Sequence, residues 1–300
     1  MRWTRRRFLG VSAGTLVAAA CGGDGDGGGG GGGDGDGEAA QAWGDPDDVA
    51  EVLRYGDADQ QLVELTRPPN PDGNPPVVVL VHGGFWSAAY DLTLMYPLVP
   101  PLLAEGWAVA NIEYRGVGVP GGGWPGTFDD ATAAVDALAD ARGADLDRVI
   151  AIGHSAGGHL ATWLAGRHRV PAGAPGAGPA VIVGGVVAQA GVLDLVTAAE
   201  QGLGVGAIQA LLGGEPAEVP DRYAIGSPAA LLPIGVPVEL VHGTADVNVP
   251  IDQSRRYAAA AEAAGDTVTL TEFAGDHFAL IDPSTPAWAD CLAAARRLLA

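Results

Sequence analysis

The chain has 300 residues, of which 48% are hydrophobic, with 36 acidic residues against 16 basic ones for a net charge of −20. That excess of negative charge excludes nucleic acid as a partner and excludes electrostatic docking on anionic lipid, while the apolar content excludes a disordered chain. Cys21 and Cys291 are the only cysteines, too few for a disulfide framework.

The N-terminus carries Arg5-Arg6-Arg7-Phe8-Leu9, an apolar stretch to Ala20, and then Cys21. Paired arginines ahead of Phe-Leu resemble a twin-arginine export signal, and the apolar stretch is shorter than the ~20 residues a membrane-spanning helix needs. Val17-Ala18-Ala19-Ala20-Cys21 resembles a lipobox, with Ala18 where leucine is commoner. Residues 1–20 are therefore expected to be a signal peptide and Cys21 a lipidation site on the outer face of the cell membrane. Small-residue cleavage that releases a free secreted protein is the alternative. Residues 21–47 read as a tether. Its glycine- and aspartate-rich part, 22–37, cannot form a core and has a reach of ~20–25 Å. The aspartates in it (Asp24, Asp26, Asp34, Asp36) lack the ligand series of a calcium loop.

From residue 48 to 300 strands and helices alternate. Gln61 to Thr66 alternates apolar and polar, as a half-exposed antiparallel strand does. Val77 to Val81 is a continuous β-branched run, the mark of a strand covered on both faces, and Trp107 to Ile112 is another. Phe128 to Arg142 reads as a helix. Strands are predicted to end at Ile152 and to cover 181–187, 236–241 and 267–273; helices are predicted after Ser155 and over 251–264 and 287–299. The pattern is that of an α/β domain, a mostly parallel sheet with helices on both faces. Residues 195–225 are irregular and glycine-rich, a candidate cap or lid, and Cys291 reads as a small buried apolar residue.

The segment Gly153-His154-Ser155-Ala156-Gly157-Gly158 joins a buried strand to a helix. A serine flanked by glycines at i−2 and i+2 in that position is a nucleophile elbow: the turn is so sharp that neighbouring backbone occupies the space of any side chain there. A serine hydroxyl needs a base beside it and an acid to orient the base, and in this fold type the chain order is Ser, then acid, then His. His277 is the histidine that lies beyond a suitable acid. Asp246, just past the strand over 236–241, is the leading acid, ahead of Asp194, Asp252 and Asp276. His154 and His159 read as structural. Acyl transfer also needs N–H donors aimed at an oxyanion. Gly83 and Gly84 in His82-Gly83-Gly84-Phe85-Trp86 and the amide of Ala156 are the candidates, with Phe85 as a substitute donor. Phe85 and Trp86 are candidate substrate contacts, although Trp86 and Trp124 suit the core equally well, and Arg115 reads as structural.

Taken together, Tyr55-Gly56, Gln61-Leu62, His82-Gly83-Gly84-Phe85-Trp86, Glu113-Tyr114-Arg115, Gly153 to His159, Ser227-Pro228, Gly243-Thr244-Ala245-Asp246 and Asp276-His277-Phe278 give the chain a family resemblance. It resembles α/β-hydrolases of the esterase type, in the branch that holds bacterial feruloyl-esterase-like proteins and kynurenine formamidases. The resemblance covers nearly all of 50–300. It implies a triad of Ser155, Asp246 and His277, an oxyanion hole at the 83–84 glycines, and no cofactor or metal. Phe85 stands where hormone-sensitive-lipase-like esterases have a third glycine, which favours the formamidase-like branch. The leading expectation is a serine carboxylic ester hydrolase acting on a small-molecule ester. An arylformamidase or other amidase would use the same residues, and a surface-tethered binding protein on a hydrolase scaffold is the non-enzymatic alternative. A peptidase is disfavoured.

Overall fold

The computed structural model describes residues 51–300 except Asn70 and Asp72. The expected signal peptide, the expected lipidation site Cys21 and the expected tether lie outside the described residues. Eight strands form one sheet: β1 (Glu51–Arg54), β2 (Leu62–Thr66), β3 (Pro76–Val81), β4 (Ala108–Ile112), β5 (Asp145–His154), β6 (Val186–Gln189), β7 (Val238–Gly243) and β8 (Val268–Phe273). Their order across the sheet is β1-β2-β4-β3-β5-β6-β7-β8. β2 pairs antiparallel with β1 and β4, and every pair from β4 to β8 is parallel.

The central strands explain the layering. All of β3 is buried, and alternate side chains leave opposite faces of the sheet. Val77, Val79 and Val81 join one apolar cluster with Phe128, Trp163 and Tyr257. Val78 and Leu80 join the other, with Leu102, Trp288 and Cys291. These partners come from α2 (Gly126–Asp136), α3 (Ala156–Gly166) and α7 (Asp252–Ala264) on the first face, and from α1 (Val99–Ala104) and α8 (Pro286–Leu299) on the second. A run of β-branched residues without polar alternation is thus a strand with helices on both sides. Cys291 is fully buried, and burial pushes its thiol up to about 12.

Three stretches differ from the sequence pattern. The strand expected over 181–187 is β6, which begins only at Val186. The backbone N–H groups of Ala180 and Val181 are taken by Asp136 Oδ1, and the Val181 carbonyl by Arg167, so side chains replace a strand partner there. Val181 and Val183 are nevertheless buried, which is why the run looked like a strand. The helix expected to reach Arg142 ends at Asp136 and tightens into a 3₁₀ turn at Ala137–Asp140. Residues 195–225 contain three short helices, α4 (Leu195–Glu200), α5 (Ala207–Leu212) and α6 (Pro220–Gly226). The 3₁₀ turn Leu203–Val205 between α4 and α5 places Gly204 against the ring of Phe85.

Candidate active site

Ser155 sits between the last residue of β5 and the first of α3 with φ 58° and ψ −120°, a backbone conformation that L-residues rarely adopt. The flanking glycines make this possible. A Cβ on Gly157 would stand 2.0 Å from the carbonyl oxygen of Val81, and one on Gly153 would stand 2.1 Å from that of Gly157. The Ser155 N–H donates to the carbonyl of Gln189 at 2.8 Å, tying the turn to β6. Ala156 opens α3, so its N–H is among those a helix leaves without an internal acceptor.

The loop after β3 lies directly against this turn. A Cβ on Gly83 would come 2.7 Å from the carbonyl of His154 and 3.0 Å from Ser155 Cβ. Gly84, Phe85 and Trp86 follow with φ of 105°, 51° and 55°. Anchors on both sides hold this strained run. Upstream, His82 stacks on Tyr114 with ring centroids 4.2 Å apart, and its ring nitrogens meet the Gly83 carbonyl at 2.9 Å and the Glu113 carboxylate at 3.1 Å. Downstream, the Trp86 indole donates to His159 Nδ1 at 3.0 Å, and His159 Nε2 donates to the Gly226 carbonyl at 2.8 Å. Burial pushes His159 down to about 4, so it stays the neutral acceptor that the indole requires.

Asp246 follows β7 and His277 follows β8. His277 Nδ1 donates to Asp246 Oδ2 at 2.6 Å, while Asp246 Oδ1 accepts from the N–H groups of Asn248 and Val249 at 2.8 and 2.9 Å. Burial alone would raise the Asp246 carboxyl, but the hydrogen bonds from His242, His277 and Val249 outweigh it and hold the group well below the usual carboxylate range. His154 Nε2 donates to the His277 carbonyl at 2.9 Å, and burial, with the neighbouring His277 adding to it, pushes His154 down to about 3.

The rival acids are engaged elsewhere. Asp194 caps α4 through Thr197, Asp252 lies exposed in the first turn of α7, and Asp276 accepts from the N–H groups of Phe278 and Ala279.

Ser155 and His277 line one cavity of about 110 Å³, together with Gly84, Phe85, Tyr90 and Asn248. A larger groove of about 530 Å³ between Pro68, Pro76 and Arg148 lies at the opposite edge of the sheet and carries no nucleophile. Phe85, a candidate substrate contact, lines the cavity. Trp86 does not: it is fully buried, its indole N–H is committed to His159, and it belongs to the core rather than to the substrate surface. Trp124 likewise packs on Phe128. Arg115 is structural, its guanidinium forked onto Asp130 at 2.7 and 2.8 Å, and Gln61 donates to the same carboxylate. Sequence reasoning did not single out Tyr90, Asn248 and Phe278 as cavity residues or His242 as a partner of Asp246. For His242 a signal existed, its i,i+4 spacing to Asp246 across the end of a buried strand. Among the described residues no group of three or more His, Cys, Asp or Glu could hold a metal ion.

A mostly parallel sheet covered on both faces, with a serine at a strained strand-to-helix turn after β5 and an Asp and a His on the loops after β7 and β8, defines an α/β-hydrolase fold. The chain belongs to the BD-FAE family, whose match covers residues 63–260. It is 30% identical to Esterase LipQ of Mycobacterium tuberculosis and 28% identical to the isoprenylcysteine alpha-carbonyl methylesterase ICME of Arabidopsis thaliana; each match covers 76% of this chain and 56% of the relative. The chain thus spans about half the length of these curated relatives. Among solved structures it resembles esterase B from Lactobacillus rhamnosis, with TM-score 0.71 and 25% identity over 84% of this chain and 86% of that one. It also resembles an esterase from Thermogutta terrifontis, with TM-score 0.66 and 24% identity over 84% of this chain and 91% of that one.

Proposed function

We propose that this protein is a serine carboxylic ester hydrolase in which Ser155 is the nucleophile, His277 the general base and Asp246 the residue that orients the base. The observation that carries the reading is the 2.6 Å hydrogen bond from His277 Nδ1 to Asp246, made where His277 shares a cavity with Ser155. With Nδ1 protonated and bonded to Asp246, Nε2 is left with the lone pair that accepts the serine proton. Ser155 Oγ attacks the ester carbonyl as its proton passes to His277. The carbonyl oxygen becomes an oxyanion, held by N–H groups of Gly83, Gly84 and Ala156, and one such donor is worth ~3–4 kcal/mol in the transition state. His277 then returns the proton to the departing alcohol, leaving an acyl-Ser155. Water, deprotonated by His277, attacks the acyl carbonyl; the acyl–Oγ bond then breaks, the acid leaves, and His277 returns the proton to Ser155 Oγ.

A cavity of about 110 Å³ supports a short acyl group. The relatives named as esterases support the reaction class. The test is hydrolysis of p-nitrophenyl acetate, butyrate and octanoate by the purified protein and by Ser155→Ala. Turnover that depends on Ser155 and favours the shorter esters is the expected result. A folded protein without turnover would overturn the ester reading and direct the assay to formamides.

The same proposal extends to location. The arginine pair and the Ala-Ala-Ala-Cys stretch at the N-terminus support export and a lipid on Cys21. Incorporation of labelled fatty acid into the wild-type chain but not into Cys21→Ser is the expected outcome. No labelling would favour a released protein, and equal labelling would place the lipid on a residue other than Cys21.

A further inference from the structure

His242, in β7, is a buried histidine that the proposed reaction does not use. Its ring is fully buried and both nitrogens are engaged. Nε2 lies 2.9 Å from the carbonyl oxygen of Val249 and 3.4 Å from Asp246 Oδ2. Both are acceptors, so Nε2 carries the proton and shares it between them. Nδ1 lies 2.8 Å from Ser254 Oγ, a fully buried hydroxyl in the first turn of α7. The ring's remaining lone pair is therefore met by the serine O–H, which fixes the tautomer. A connected series results: Ser254, His242, Asp246, His277.

The placement on Asp246 is specific. Oδ2 is the oxygen that also receives the His277 N–H, whereas Oδ1 is occupied by backbone donors from Asn248 and Val249. A second donor on Oδ2 fixes the carboxylate plane and draws negative charge away from the His277 bond. The Val249 carbonyl, held by the same Nε2, keeps the loop from Gly243 to Pro250 folded over the carboxylate. We infer that His242 is a positioning residue for the Asp246–His277 pair, and that Ser254 selects the tautomer in which it acts. The inference rests on the Ser155, Asp246 and His277 reading above.

Removing the His242 donor leaves Asp246 Oδ2 with more charge to offer His277, so the His277 imidazolium gains stability and the acid limb of activity moves to higher pH. The other groups facing this pair stay in place. His154 packs 4.5 Å from the His277 ring, Asp276 is held by the N–H groups of Phe278 and Ala279, and Glu272 on β8 is paired with Arg255.

The experiment compares the full chain with His242→Leu, His242→Gln and Ser254→Ala. Leucine removes the donor, and glutamine offers an N–H near the Nε2 position. The readouts are kcat and KM on p-nitrophenyl acetate, the pH dependence of kcat/KM, and the titration of the His277 imidazole by NMR, which needs no turnover. His242→Leu is expected to lower kcat between about tenfold and a hundredfold, the range for misplacing a reacting group, with KM unchanged and the acid limb moved up. His242→Gln is expected to recover most of the loss, and Ser254→Ala to move the same quantities less far. Equal losses in the leucine and glutamine variants, or an unmoved acid limb, would overturn the inference. If His242→Leu does not fold, Ser254→Ala decides, and wild-type kinetics in that variant would overturn it. If the wild-type chain hydrolyses no ester, the functional reading fails separately. The His277 titration then decides this inference, raised in the variants if it holds and unmoved if it does not.

Discussion

The Nε2–H of His154 donates to the carbonyl oxygen of His277 across 2.9 Å, so the residue before the candidate nucleophile pins the backbone of the candidate base. The two ring centroids are 4.5 Å apart, and burial pushes His154 down to about 3. His154 therefore stays neutral at any pH where a histidine base works. The same burial sets an acid stability limit. In the unfolded chain a histidine takes up its proton below about 6.5, whereas His154 and His159 fold neutral and resist protonation until about 3 and about 4. The unfolded state then binds more protons than the folded one. The contribution is full above pH ~6.5 and falls as pH drops toward these folded values, with each histidine adding a slope of up to about 1.4 kcal/mol per pH unit. Melting temperature is expected to decline from pH 6.5 to pH 4.5, and less steeply in His159→Gln. An identical slope in the variant would remove His159 from the account.

Asp246→Asn tests the acid by tautomer rather than by charge alone. Asn248 and Val249 present N–H donors to Oδ1, so the amide oxygen of an asparagine would face them. Its NH₂ would then face His277 Nδ1 and His242 Nε2, donor against donor. His277 relieves the conflict by moving its proton to Nε2, which destroys the base. A fall in kcat of about ten-thousandfold with little change in KM is expected, on the scale of the same change in other Ser-His-Asp enzymes. A loss below tenfold would assign the orienting role elsewhere.

The elements that could be read from sequence are those whose residues answer to local physics. β3 was legible because an unbroken β-branched run has no other stable placement than a strand covered on both faces. The elbow was legible because Gly153 and Gly157 leave no room for a Cβ, a constraint that local spacing reveals. The order Ser155, Asp246, His277 was legible because each follows a strand that ends at the same edge of a parallel sheet. The start of β6 was not legible, since the Ala180 and Val181 backbone is claimed by Asp136 and Arg167 from distant parts of the chain. β1 and α1 were missed too. β1 is a short, mostly exposed edge strand, and α1 begins in a proline-containing segment without a side-chain cap. Tyr90 and Phe278 reach the cavity through loop geometry, which no periodicity encodes.

Trp86 tests the distinction between substrate surface and core. Its indole donates to His159 Nδ1, and the two rings meet edge to face with centroids 5.1 Å apart. Trp86→Phe keeps a ring but leaves the buried His159 nitrogen without its donor, at a cost of about 1–3 kcal/mol. The variant is expected to lose stability by that amount in urea unfolding, while KM for short esters stays near the wild-type value. A raised KM with unchanged stability would return Trp86 to the substrate surface.

Tyr90 sets the size of the cavity from outside. Its ring lies over Gly84, where an added Cβ would come within 2.4 Å of it, and the side chain is half exposed. Because little of Tyr90 is core, Tyr90→Ala is expected to unfold close to the wild-type temperature. The removed ring extends a space of about 110 Å³ along the loop that follows β3. Each methylene that a pocket newly accommodates is worth ~1–3 kcal/mol in discrimination, so the variant's kcat/KM for octanoate relative to acetate is expected to rise by about tenfold or more. The measurement is the ratio of the two rates for wild type and variant under one set of conditions. An unchanged ratio would place the acyl group against Phe85 rather than Tyr90, and Phe85→Ala would then be the variant whose ratio moves.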